Sequence, residues 1–251
     1  TINQNGNIWT SGDNGKGVMA SSSSRDGGSG GSQWGLVGGS GGGGTPGNAG
    51  NVSINTGATG FVSTTGVAAS GLFAQSLGGT GGSSGNSGNL FASAIGSADD
   101  GGNGGKVDIS HGGEIVTAGT SAHGIQAQSI GGGGGNGGIA GALFALGGTG
   151  AGGGTADTVH IDVEGTGKIS TGGNRAYGVF AQSIGGSGGY GTDSYGLLGI
   201  GGNGSKAGDG APVDITNLGR IETAGDNALG ILGQSIGGGG GDGGASSGVF
   251  T

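Results

Sequence analysis

Four serines sit in one recurring phrase, Gly-apolar-x-Ala-Gln-Ser-Ile: Ser76, Ser129, Ser183 and Ser235. A serine nucleophile needs a base within hydrogen-bond reach, and no histidine or acid recurs beside them. His111, His123 and His160 do not repeat and lack metal-ligand spacing. Gly12-Asp13-Asn14-Gly15-Lys16-Gly17 only echoes a phosphate loop, because no helix pattern follows it. The carboxylates of Asp209 and Asp242 lie among glycines but without the nine-residue period of calcium-binding repeats. The one acidic pair, Asp99-Asp100, reads as a surface cluster. His123, Arg175 and Asp226 occupy variable positions on a constant corner. A stacked scaffold would place a binding surface there, or carry idle solvated residues. No residue is assigned a catalytic, cofactor-binding or metal-binding role.

The phrase itself carries more information than any of these residues. Its leading glycines are Gly17, Gly71, Gly124, Gly178 and Gly230, giving steps of 54, 53, 54 and 52 residues. A period of about 53 held along the chain means stacked repeats rather than one globular core. The repeats run near 1–51, 52–106, 107–158, 159–212 and 213–251.

Two further pieces recur upstream of the phrase. One is Val-x-Ile, as at Val107-Asp108-Ile109 and Val159-His160-Ile161; the other is Ile/Val-x-Thr, as at Ile115-Val116-Thr117. Short alternating pieces rich in Ile, Val and Thr and bounded by Gly and Asn read as strands. Seven residues always separate the Thr from the next leading glycine. Such a constant link is a corner, and its inner glycine (Gly12, Gly66, Gly119, Gly173, Gly225) suits a turn that needs positive φ. Three strands and two corners make one coil of a parallel β-helix. Ile109, Ile161 and Ile215 then form one interior column. Gln75, Gln128, Gln182 and Gln234 form an amide ladder with a structural role.

The rest of each repeat runs glycine-rich, apolar, glycine-rich. Gly131 to Gly138 is nearly pure glycine and leads into Ile139 to Leu146. Equivalent islands are Trp34 to Val37, Leu90 to Ile95, Tyr195 to Ile200 and Val249-Phe250. Two structures would explain them. The island is a strand between loose loops, so that each repeat makes two coils. Alternatively, the glycine tracts are extended three-fold helices of the polyglycine II type, packed as hairpins beside a single coil. The three-residue period of Gly78-Gly79-Thr80-Gly81-Gly82-Ser83 favours the second.

Composition narrows the function classes. Glycine supplies 79 of 251 residues, but with only two prolines and a broken register collagen is excluded. A net charge of −8 with seven scattered Lys and Arg offers no stripe for nucleic acid and no polybasic membrane patch. The absence of cysteine fits a protein exported across a bacterial envelope. Both ends fall inside a repeat, as expected of a segment of a longer array or of copies that stack into a filament.

Ala127 to Gly138, preceded by the Thr-x-Gly-x-x-Ala-x-Gly-Ile run from Thr117 to Ile125, resembles the repeats of large glycine-rich autotransporter passengers of Gram-negative bacteria. The resemblance covers nearly the whole chain. It implies an extracellular, cell-surface β-helical passenger, often adhesive, with an outer-membrane barrel elsewhere in the full-length protein. The glycine triplets also resemble mycobacterial glycine-rich surface proteins, which lack the Gln-Ser-Ile phrase. The expectation is a non-enzymatic structural or adhesive rod, without cofactor, that self-associates or binds a host or surface polysaccharide or protein. The alternatives are a polysaccharide-acting β-helix enzyme and an ice- or surface-binding protein using the Thr64, Thr117, Thr171, Thr223 column.

Overall fold

The computed structural model describes residues 1–249, and in them every strand pairing is parallel and joins equivalent positions of successive repeats. Three five-stranded sheets form the coil. The first stacks Ile2–Gln4, Val52–Thr56, Val107–His111, Val159–Val163 and Val213–Asn217. The second stacks Asn7–Thr10, Phe61–Thr64, Glu114–Thr117, Lys168–Thr171 and Arg220–Thr223. The third, built from the recurring phrase, stacks Val18–Ser23, Leu72–Leu77, Ile125–Ile130, Val179–Ile184 and Ile231–Ile236.

Because each repeat adds one strand to each sheet, it advances the rod by one strand spacing, about 4.8 Å. The protein is a parallel β-solenoid with one coil per repeat. Alternation within each strand points every second side chain inward. Ile54, Ile109 and Ile161 align in register at 1% exposure or less, and Ile215 continues the column. Val62, Ile115 and Ile169 do the same on the second sheet, and Leu72, Ile125 and Val179 on the third. Burying one such side chain stabilises by about 1.5–3 kcal/mol.

After the third strand the chain leaves the coil along a glycine tract, forms a tip, and returns along a second tract. The islands are strands, as in the first of the two structures considered above, but they build a fourth sheet at the tips instead of a second coil. Its members include Gln33–Gly39, Ser87–Ala94, Phe144–Leu146 and Leu198–Ile200.

The tracts are regular. Gly78, Gly81 and Ser84 donate to the outward tract of the next layer, at Ile130 (2.9 Å), Gly133 (2.8 Å) and Asn136 (3.0 Å). Gly79, Gly82 and Gly85 donate to the return tract of the preceding layer, at Gly47 (3.2 Å), Gly44 (3.1 Å) and Gly41 (3.0 Å). Donors that change target with a period of three are the signature of three-fold extended helices packed side by side. A Cβ on Gly132 or Gly135 would lie 2.0 or 2.1 Å from a carbonyl oxygen of the layer before, Gly79 or Gly82. A Cβ on Gly131 or Gly134 would lie 1.9 Å from the return tract of its own layer. Only the third position of each triplet, Gly133 and then Asn136, faces outward.

The corner corrects one expectation. No described glycine has positive φ; Asn14, Ala68, Ser121, Arg175 and Asn227, two residues after the corner glycine, take φ of 52° to 58°. The glycines are needed for contact between layers. A Cβ on Gly66, Gly119, Gly173 or Gly225 would sit 1.9–2.1 Å from the same glycine's carbonyl one layer earlier.

Candidate functional site: stacked ladders and apolar tips

Several of the polar side chains singled out in the sequence are tied to neighbouring backbone or to their own copies. Gln75 donates to Gln128 (3.2 Å), Gln128 to Gln182 (2.8 Å) and Gln182 to Gln234 (2.8 Å), along a half-exposed to exposed face. Each amide is both donor and acceptor, so one orientation propagates along the rod. The phrase serines point the other way. The Ser76 hydroxyl donates to the Gly50 carbonyl (3.0 Å) and accepts the Gly105 amide (2.7 Å). Ser183 does the same with Asp157 (3.1 Å) and Ala211 (2.8 Å). Ser76 and Ser183 are fully buried, fasten the coil to the returning tract and have no base beside them.

The Thr column faces inward. Thr117 and Thr171 donate across their corner to the Ala122 and Ala176 carbonyls, both at 2.6 Å, and are 1% exposed. Thr64 closes the same bond to Ala69. Thr64, Thr117 and Thr171 therefore turn their hydroxyls away from solvent.

His123, Arg175 and Asp226 lie in three different columns of the corner, which their register with Tyr177, Ser121 and Asn174 makes plain. Nδ1 of His123 accepts the Tyr177 amide (3.0 Å), and its ring packs 5.0 Å from Tyr177 and 5.2 Å from Phe180. Burial, with Lys16 adding a like charge, pulls His123 down to about 4. His111 is 1% exposed, with Nδ1 2.6 Å from Thr56 Oγ1 and Nε2 3.2 Å from the Lys168 carbonyl; burial lowers it too. Both of these histidines, His111 and His123, are packed and held neutral by burial. Lys16 reaches the Ala68 carbonyl and the Phe73 ring, 5.4 Å away, so the phosphate-loop echo is occupied by its own fold.

Sequence reasoning missed the work of the scattered Asn, Asp and Ser residues in the tracts. At several triplets one amide finds no backbone partner, and a side-chain oxygen from the preceding layer takes it. Asp26 accepts from Thr80 (2.8 Å), Asn86 from Ile139 (2.9 Å), Asn136 from Tyr190 (2.9 Å) and Asp193 from Ala245 (2.8 Å). Asp100 belongs to this set, accepting from the Gly152 amide (2.6 Å), whereas Asp99 accepts from the Thr45 hydroxyl of the preceding layer (2.6 Å). The amide bonds hold Asp26 below the ordinary carboxylate range. The available signal was recurrence: Asn86, Asn136 and Asp193 stand near the end of the same tract in successive repeats.

The tips invert the usual rule of burial. Their inward positions are small: Ser87, Ala140 and Ser194 on one arm and Ser93 and Ala145 on the other, all at 3% exposure or less. Their outward positions are large and apolar. Trp34 is 75% exposed, Leu90 62%, Phe144 53% and Ile200 58%. Val249 continues the pattern, and Phe250 lies outside the described residues. From Gln33 to Gly39, Ser87 to Ile95, Ile139 to Leu146 and Ser194 to Ile200 the tips carry no charge. Exposed apolar strips of this kind are uncommon on monomeric soluble proteins and recur at interaction surfaces. Among the described residues no three His, Cys, Asp or Glu come together as metal ligands. No protein family, curated relative or solved structure matches this chain.

Proposed function

We propose that this chain is a non-enzymatic structural and adhesive segment of a secreted bacterial surface protein, an autotransporter passenger displayed outside the cell. The outer-membrane barrel belongs to another part of the full-length chain. The observation that carries the reading is the in-register stacking of whole repeats with one uncharged apolar tip per layer. A rod built this way has stiffness from saturated ladders and presents the same weak contact many times. Many weak contacts held at fixed spacing add up to useful retention. Its ligands are host or surface polysaccharide or protein, and copies of the rod self-associate.

The reading is tested with the purified chain and a variant lacking residues 107–158. Retention on polysaccharide- or protein-coated beads should fall when one repeat is removed, while the shorter rod stays folded by circular dichroism. Release of new reducing or unsaturated sugar ends, or retention on no surface, would count against it.

A further inference from the structure

We infer that two copies of this rod pair side by side through their hairpin tips, as an isologous dimer that rests on the rod reading above. The tip surface has a knob and a hole in the same layer. Val37, Ala92, Phe144 and Leu198 share one register column, and Ala92 is its one small member. One residue past the register pair of Ala145 and Ser93, Leu146 stands opposite Ala94. The step down at the two alanines opens a hollow of about 460 Å³, lined by Val37, Ala92, Ala94, Phe144, Leu146 and Ile200. The nearby Ser93 hydroxyl is spent on the Ser87 carbonyl at 2.9 Å, so only hydrocarbon is left to be matched. Beside the hollow, Leu90 and Phe91 project into solvent at 62% and 51% exposure.

A two-fold axis across the rods places each copy's Leu90 and Phe91 in the other's hollow, since an isologous interface pairs i with j and j with i. No charge on the strip opposes that approach. The area suffices. With about half of each large side chain exposed, and roughly 150–200 Å² per side chain, the strip offers on the order of 1,000 Å² per copy. A stable interface needs about 800 Å² per partner.

Sedimentation equilibrium of the 251-residue chain should give twice its 22.8 kDa mass. Phe91→Asp and Ala94→Lys should each weaken pairing roughly 100-fold. An equimolar mixture of the two should recover pairing, because one variant's carboxylate then enters the other's basic hollow. Circular dichroism and melting of each variant report on the rod separately. If Phe91→Asp fails to fold, a Leu90→Cys chain mixed with an Ala94→Cys chain replaces it in this cysteine-free protein, and oxidation should yield the covalent mixed dimer in preference to either like pair. A wild-type monomer, a mass that the folded variants leave unchanged, or wild-type monomers that float with phosphatidylcholine vesicles would overturn the pairing and leave the rod standing.

Discussion

Coil and hairpin share one period but stack by opposite means. In the coil, layers are held by side chains: columns of Ile, Val and Leu exclude water, and the backbone ladders follow. In the hairpin, layers are held by the near absence of side chains. Ordering glycine costs more backbone entropy than ordering any other residue. The tracts offset that cost through close approach and through amides that bond to three different neighbours in turn. The difference teaches that a repeat can specify register in two independent ways, by what fills a space or by what leaves it empty.

The largest effect should come from emptying the coil. Ile161→Ala removes a fully buried side chain between two neighbours of its column. It should cost about 2–5 kcal/mol, read from chemical denaturation of the whole chain. A loss below about 1 kcal/mol would mean that the columns are not what binds the layers. Next comes filling the hairpin. Gly135→Ala puts a methyl group 2.1 Å from the Gly82 oxygen and should cost about 1–3 kcal/mol. Gly133→Ala, two residues earlier and 3.2 Å from Ser187 Oγ, should cost less than about 1 kcal/mol. Equal costs at the two sites would break the contrast between coil and hairpin.

Acid separates the halves differently, because the three histidines lie on the coil and none on the hairpin. Burial keeps His111 and His123 neutral in the fold, with values below those of the unfolded chain. The stability they contribute is complete above about pH 6.5 and is lost as pH falls toward the folded value of His123, about 4. Allowing for solvent at the partly exposed His123, the loss should be about 1 kcal/mol. Amide exchange at pH 4.5 should rise in the coil strands before it rises in the tracts; the reverse order would reject the assignment. A similarly small effect belongs to the ladder that brings the hairpin's logic onto the coil. Gln128→Leu breaks two amide links and should cost about 0.5–1.5 kcal/mol in thermal melts.

The coil was legible because its signal is chemical as well as periodic. Alternating Val-x-Ile at Val107 and Val159 names both the strand and its inward face, and repetition then names the column. The glycine tracts were legible only as a period, since a residue without a side chain points nowhere, and so two architectures stayed open. The corner misled for a related reason. A rule for isolated turns gives the left-handed residue to glycine, yet Ala68 and Arg175 adopt that conformation because the layers need Gly66 and Gly173 for contact. The inverted tips also escaped notice. Leu90 and Phe144 look like core residues in sequence, and only the small Ser87 and Ala140 opposite them in the fold show that they face out.

The side-chain caps give the rod a sense of direction. From Asp13 to Val67, Asn103 to Thr155 and Asn174 to Asp226, the oxygen always belongs to the earlier layer and the amide to the later one. The two faces of a layer are therefore chemically unlike. Each finished layer carries the template for its successor and not for its predecessor. A stack of such layers is directional, and a layer turned over in place would set acceptors against acceptors.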